Sequence, residues 1–223
     1  MNVVITGSAR GIGLELVRLY LAAGARVWGT VRSTDDAERL EMLGAAAPVV
    51  DVTDAGSVDG LATLISDRTI DVLINNAGVL GPERQSTSDM DFEGFADALA
   101  VNTLGPLRVT QALLPALLRS DGATVAVVTS RMGSLSYAKS DTVAYRASKA
   151  AANKVTQCLA TDLEPRGVVV AAVHPGWVRT SIGGQEADID AVTSARGIVR
   201  VLQGLTVRDT GRFWNYDGAA LAW

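Results

Sequence analysis

Tyr145 and Lys149 stand four residues apart in a stretch with helical patterning, so their side chains share one helix face. A free phenol has a pKa near ~10 and is a poor acid or base at neutral pH. A nearby ammonium favours the phenolate and lowers that value. Tyr145 could then give a proton to a developing alkoxide or take one from an alcohol. On a helix surface the same pair would be only two solvated side chains. Ser130 closes a Val-rich run upstream, and a hydroxyl fixed at a strand end could hold a substrate oxygen in line for that proton. Ser134 and Ser136 offer the same group from the following loop, a less fixed position. Near the start, an apolar run leads into Thr6-Gly7-Ser8-Ala9-Arg10-Gly11-Ile12-Gly13, and a helical pattern follows. Glycines between strand and helix permit a tight turn, close backbone approach to a pyrophosphate and close helix–strand packing. The helix start offers free N–H groups to the phosphate. The spacing is Gly-x-x-x-Gly-x-Gly, not the commoner Gly-x-Gly-x-x-Gly.

Other chemistries are closed off by what is scarce. The 223 residues carry one cysteine, Cys158, so neither an intramolecular disulfide nor a cysteine-built metal site is expected. One histidine, His174, argues against a His-based metal site and against the usual serine-protease base. Cys158 reads as core and His174 as a packed residue at a strand end. The net charge of −4 argues against a nucleic-acid binder, since that affinity comes mainly from Lys and Arg. A composition of 48% hydrophobic and 20% charged residues fits a folded globular domain. No signal-peptide pattern and no apolar run long enough to span a membrane is visible, so a soluble cytoplasmic protein is expected.

Short Val/Ile-rich runs alternate with helical patterns. Residues Val3–Thr6, Arg26–Val31, Pro48–Asp51, Val72–Asn75, Thr124–Thr129 and Val168–Val173 read as buried strands, with a seventh at Arg212–Asn215. Helices are expected near 11–23, 36–43, 55–66, 90–100, 105–119, 142–164 and 190–203. Such alternation implies right-handed crossovers and an α/β fold: one doubly wound (Rossmann) parallel sheet of about seven strands, covered on both faces, spanning 1–223. Asn75-Asn76-Ala77-Gly78 ends the fourth strand as a turn whose amides tie neighbouring strands. Ser181–Asp190, with Gly183-Gly184, reads as a mobile substrate lid. Trp177, Met132 and Leu135 are apolar candidates for a pocket wall.

Taken together, the glycine motif, Asn75-Asn76-Ala77-Gly78, Asn102, Ser130, Tyr145-Arg146-Ala147-Ser148-Lys149 and Pro175-Gly176 resemble the classical short-chain dehydrogenase/reductase family, in its order and over nearly the whole chain. Within it, Ser130–Ser134, His174-Pro175-Gly176-Trp177-Val178 and the ending Asn215-Tyr216-Asp217-Gly218 with Leu221-Ala222-Trp223 resemble the Sniffer-type carbonyl reductases and the C-factor-like proteins. One departure is the Ser130–Tyr145 separation of 15, slightly longer than is usual in the family, with extra length near Ala138–Thr142.

The resemblance implies reduction of a ketone or aldehyde by hydride transfer from a nicotinamide cofactor. Tyr145 would be the acid/base, Ser130 would position the substrate oxygen, and Lys149 would tune Tyr145 and bond the nicotinamide ribose. Asn102 would bend its helix and hold a relay water. Gly7, Ser8, Gly11, Ile12 and Gly13 would line the pyrophosphate. Asn75, Ala77 and Gly78 would wall the adenosine ribose, with Asn75 the more concerned with cofactor and Asn76 with the sheet. Asp51 and Val52 would meet the adenine, although Asp51 also reads as a helix cap, a place better filled by Thr53 or Asp54. Pro175, Gly176, Val178 and Thr180 would lie against the nicotinamide end. Family members that prefer NAD usually end the second strand with an acid. Here that position is Val31, Arg32 follows, and Arg10 sits in the glycine loop, so two guanidinium groups point to the 2′-phosphate of NADP (NADPH). A nucleotide-binding signalling role is the rival reading. A homodimer or homotetramer through 105–119 and 142–164 is as compatible with the family as a monomer.

Overall fold

A computed structural model describes all 223 residues. The strands are β1 (Asn2–Ile5), β2 (Arg26–Gly29), β3 (Val72–Asn75), β4 (Thr124–Val128), β5 (Val169–His174), β6 (Phe213–Asn215) and β7 (Ala220–Leu221). They form one seven-stranded sheet in the order β2-β1-β3-β4-β5-β6-β7. Every pairing is parallel except that of β6 with β7. The helices are α1 (Gly11–Ala22), α2 (Thr34–Glu41), α3 (Ala55–Leu64), α4 (Phe92–Leu99), α5 (Gly105–Leu117), α6 (Val143–Leu163) and α7 (Ala191–Gly204).

Alternation along each strand divides the apolar side chains between two cores. Val3, Ile5, Val27 and Ile74 pack with Leu16, Val17 and Tyr20 of α1 and Ile198 of α7. Val4, Trp28, Leu73 and Val170 face the other way, onto Leu61 of α3, Leu113 of α5 and Leu163 of α6. Both faces of the sheet are therefore covered, as a buried parallel sheet requires. Successive strands run outward from β1 to β2, then back across to β3 and β4. The carboxyl edge between β1 and β3 is thus a topological switch point, where doubly wound folds open a crevice for ligands.

Two sequence expectations need correction. Pro48–Asp51 is not a regular strand. Residues 46–50 do run beside β2: Ala46 N–H donates to Val27 O, Gly29 N–H to Ala46 O, and Val50 N–H to Val31 O. Residues 46, 48 and 50 therefore face β2, and Pro48 occupies the one place whose N–H should continue the ladder. Only isolated parallel bridges survive, Trp28 with Ala46 and Val31 with Val49. The seventh expected strand, Arg212–Asn215, is present as β6, but a hairpin adds the antiparallel β7, so the sheet is not wholly parallel. No helix is long and apolar enough to cross a membrane.

Candidate active site

The glycine turn sits at the switch point. Gly7 and Gly11 take positive φ values of 69° and 56°, the left-handed region that favours glycine. A Cβ on Gly7 would lie 2.8 Å from the Ala77 Cα, and one on Gly13 would collide with the Gly7 carbonyl and the Asn76 amide. Asn76 fixes this approach: its Nδ2 donates to Thr6 O and Gly7 O, while Asn76 N–H and Ala77 N–H donate to the Thr6 hydroxyl. The start of α1 carries no side-chain cap and no acid in its first turn. Its leading N–H groups, which have no intrahelical acceptor, are left for an anion. The Thr180 methyl lies 3.3 Å from where a Gly11 Cβ would be, so the segment after β5 closes over the same turn. A dinucleotide pyrophosphate fits this cradle by shape, donors and charge.

Not every expected contact residue faces the cradle with its side chain. Ser8 is buried and its hydroxyl donates to Ile5 O. Asn75 turns its amide inward, Nδ2 donating to the Thr110 hydroxyl, so any contact it makes with a cofactor falls to its backbone. Asn76 instead ties the end of β3 to Thr6 at the end of β1 and to the glycine turn. Val31 is buried at 2% exposure in the core, not open to the crevice, because residues 48–50 cover it. Arg10 and Arg32 are exposed and enter no ion pair. Asp51 accepts from the N–H and hydroxyl of Thr53, bonds that hold its carboxyl below the usual range, with Arg32 adding to the effect. Asp54, not Asp51, caps α3. Val52 packs under Gly105, and its carbonyl accepts from Arg108.

Ser130, Tyr145 and Lys149 converge at the ends of β4 and α6, each nearly buried. Gly133 sets their spacing: a Cβ there would lie 2.5 Å from the Lys149 carbonyl carbon, so only glycine lets the turn after Ser130 rest on α6. The Ser130 hydroxyl accepts from Met132 N–H at 3.1 Å and lies near enough to the Tyr145 phenol to act on its pKa. Ser134 and Ser136 bond each other at 2.7 Å. Burial pushes the Tyr145 phenol above its ordinary value, and the neighbouring Ser130 hydroxyl pulls less strongly the other way. The expectation that Lys149 lowers it is not met here: burial is the larger effect. Lys149 Nζ lies 5.8 Å from the Tyr145 ring centre and donates to Val128 O at 2.9 Å. Burial pushes its own pKa down to about 8.

Asn102 is where the helical run changes its hydrogen-bond period. It lies in a π-helical turn, Ala100–Leu104, between α4 and α5. Its amide is fully directed, donating to Val79 O and the Ser148 hydroxyl and accepting from Val79 N–H. Four residues on, Pro106 has no N–H to offer the Asn102 carbonyl, which is thereby released from the α-helical ladder.

His174 sits at the end of β5, where burial pushes its pKa down to about 4. Cys158 is exposed, against the expectation of core, because it lies on the outward side of α6. Trp177 is half exposed and donates its indole N–H to Gly183 O, and Leu135 is open to solvent. Gln85 was not expected in the site. It stands in a polar loop with no neighbouring motif, yet it is buried and bonds the Tyr145 N–H. A lone amide between Glu83-Arg84 and Ser86 carries no pattern that would single it out.

Lys149 yields a test of stability. Unfolded, its amine holds a proton up to about 10.5; folded, only up to about 8. Between those values the unfolded chain binds more protons, so this group makes stability rise with pH. Below about 8, burying the ammonium costs ~3 kcal/mol at ~1.4 kcal/mol per unit. Lys149→Met removes that cost and loses the Val128 bond, a net gain of ~1–2 kcal/mol. Thermal melts at pH 7 should rise by about 2–8 °C, with the gain shrinking above pH 8. A lower melting point at pH 7 would contradict it.

A crossover sheet with a glycine turn at its switch point and a Tyr–Lys helix alongside marks a Rossmann-type α/β protein. Within that class the chain belongs to the short-chain dehydrogenase family, whose profile matches residues 1–190. It is 46% identical over 164 residues to the C-signal protein of Myxococcus xanthus, covering 73% of this chain and 98% of that one. It is 34% identical over 230 residues to 1-hydroxy-2-glutathionyl-2-methyl-3-butene dehydrogenase of Rhodococcus sp., covering 100% and 99%. Among solved structures, NADPH-bound carbonyl reductase from chicken fatty liver superposes with a TM-score of 0.93 at 30% identity, covering 100% of this chain and 98% of that one. The carbonyl reductase Sniffer of D. melanogaster gives 0.93 at 31%, covering 100% and 99%.

Proposed function

We propose that this protein is an NADPH-dependent carbonyl reductase that converts a ketone or aldehyde to an alcohol. The observation that carries the reading is the convergence of the nearly buried Ser130, Tyr145 and Lys149 at the sheet edge where the glycine turn lies. When bound, the cofactor supplies the hydride. Gly7, Gly11, Ile12 and Gly13 hold its pyrophosphate, Arg10 and Arg32 its 2′-phosphate, and Asp51 and Val52 flank its adenine. The backbone of Asn75, Ala77 and Gly78 walls the adenosine ribose. Lys149 and Tyr145 hold the nicotinamide ribose, and Pro175, Gly176, Val178 and Thr180 border the ring.

The substrate oxygen rests on the Ser130 and Tyr145 hydroxyls. A phenol whose pKa is raised by burial stays protonated at neutral pH, which suits an acid that must donate as negative charge develops on that oxygen. Lys149, largely protonated below about pH 8, stabilises the phenolate that results. The released Asn102 carbonyl holds a water that returns a proton by way of Lys149. Residues 181–190 close over the substrate as a lid.

Purified protein mixed with NADPH and a panel of aldehydes, diketones and quinones, followed by NADPH absorbance, tests the reading. Turnover of at least one class is expected. The 46% identity to C-signal favours a second reading, a nucleotide-binding signalling protein. Tight NADPH binding with no turnover across the panel would move the balance to it.

A further inference from the structure

We infer that Gln85 is a positioning residue for Tyr145: from the loop after β3 it supplies the N-terminal cap that α6 lacks, and so fixes the turn that carries the phenol. The inference rests on Tyr145 being the proton donor.

Helix α6 begins in an unusual way. Its N-cap residue, Thr142, takes a left-handed conformation, φ 49° and ψ 53°, and its side chain makes no capping bond. The Thr142 hydroxyl is instead buried without a partner. An N-cap side chain ordinarily accepts from the second or third N–H of its helix. Here the third is that of Tyr145, and its acceptor is the Gln85 Oε1, 60 residues away, at 3.1 Å. The Gln85 backbone carbonyl accepts the first, that of Val143, at 3.0 Å. One residue thus satisfies two of the leading donors.

The Gln85 amide cannot turn over. Its nitrogen donates to Pro82 O at 2.7 Å and Leu80 O at 3.3 Å, which leaves the oxygen facing the helix. The other end of the Tyr145 residue is held as well: the Ser148 hydroxyl donates to its carbonyl at 2.8 Å and accepts from Asn102 Nδ2 at 2.9 Å. Asn102 in turn is fixed by both backbone groups of Val79. Residues 79–85 therefore reach the Tyr145 N–H through Gln85 and its C=O through Asn102 and Ser148. The same loop begins at the Ala77–Gly78 wall of the cradle.

Two substitutions separate the cap from the loop. Gln85→Leu keeps bulk and removes acceptor and donors together. Gln85→Glu keeps an acceptor, favoured at a helix N-terminus, and loses the donors to Leu80 and Pro82. In the Leu protein kcat should fall about tenfold or more, since small misplacements of a reacting group are costly, while NADPH affinity stays within about twofold. In cofactor-free protein, amide exchange at Val143–Tyr145 should quicken about tenfold, as expected when a cap is lost. The Glu protein should recover kcat and protection to within about threefold of the parent. If the Leu protein does not fold, Gln85→Asn takes its place with the same expectations, because its amide is one methylene short of the helix. Parental kcat in the Leu or Asn protein overturns the inference, and so does a Glu protein as impaired as they are, because the loop and not the cap would then be responsible. Tyr145→Phe run alongside keeps the two ideas apart. An active Phe protein removes the proton-donor reading, whereas an inactive one with an unaffected Leu protein removes only the role of Gln85.

Discussion

Tyr145→Phe should weaken NADPH binding by no more than its one ribose hydrogen bond, about tenfold at most, and slow carbonyl reduction by at least ~10²-fold, the usual lower range for loss of a general acid. The change deletes one oxygen. The ring is 8% exposed and held within α6, so phenylalanine fills the same space and the cradle keeps its shape. What is lost is the donor and its contact with Ser130. The two losses can be told apart. Ser130→Ala keeps the phenol and removes only its partner and the second contact to the substrate oxygen, so it should raise KM and lower kcat less than the Phe change does. Burial adds a pH signature. Reduction by the parent should hold its rate through neutral pH and begin to fall above about pH 8, where Lys149 loses the proton that stabilises the phenolate, although the raised phenol itself stays protonated. A Phe protein with parental turnover on a good substrate would sink the assignment.

The parts of this fold that were legible in the sequence are those in which local pattern and global role agree. The Val/Ile runs at β1, β3, β4 and β5 are buried on both sides, and both cores draw on them. The glycine turn was legible because its glycines do what only glycine can, two at positive φ and one against a carbonyl. Pro48 is legible too: although it stands within an apolar run, its missing N–H breaks the edge ladder beside β2. Direction of side chains was harder. Asn75 and Asn76 are identical residues in adjacent places, and alternation along the strand sends the first to Thr110 and the second to Gly7. Burial sets the direction of the Tyr145 pKa shift, and burial depends on everything packed around α6. Gln85 depends on a contact across 60 residues, for which no local pattern exists.

Cofactor choice should be the most easily moved property. Arg10 and Arg32 are exposed at the mouth of the cradle, and neither is committed to an ion pair. Each has an acid within electrostatic reach, Asp36 near Arg10 and Asp51 near Arg32. A 2′-phosphate meeting both guanidinium groups gains charge-assisted bonds, reduced by solvent but needing only ~1.4 kcal/mol in total for each factor of ten. NADPH should therefore bind at least about tenfold tighter than NADH. Without the phosphate, the two like charges face each other, a repulsion that works against the smaller cofactor. An acid at Val31 would be the obvious way to reverse the preference, but that side chain is buried among Val and Leu, and a carboxylate there would damage the fold before it met a ribose. Arg32→Asp with Arg10→Ala places the acid on the exposed side instead. It also removes one of the two arginines acting on each of Asp36 and Asp51, leaving Arg39 and Arg108, so the field around a phosphate becomes less favourable. In that double variant NADPH should lose its advantage entirely and NADH should bind as well as before or better. Titration of both cofactors against intrinsic tryptophan fluorescence decides it, repeated at high salt, where the NADPH advantage of the parent should shrink because exposed charges are screened. Equal affinities for the two cofactors in the parent protein would remove Arg10 and Arg32 from the recognition of the phosphate and leave the glycine cradle to bind both alike.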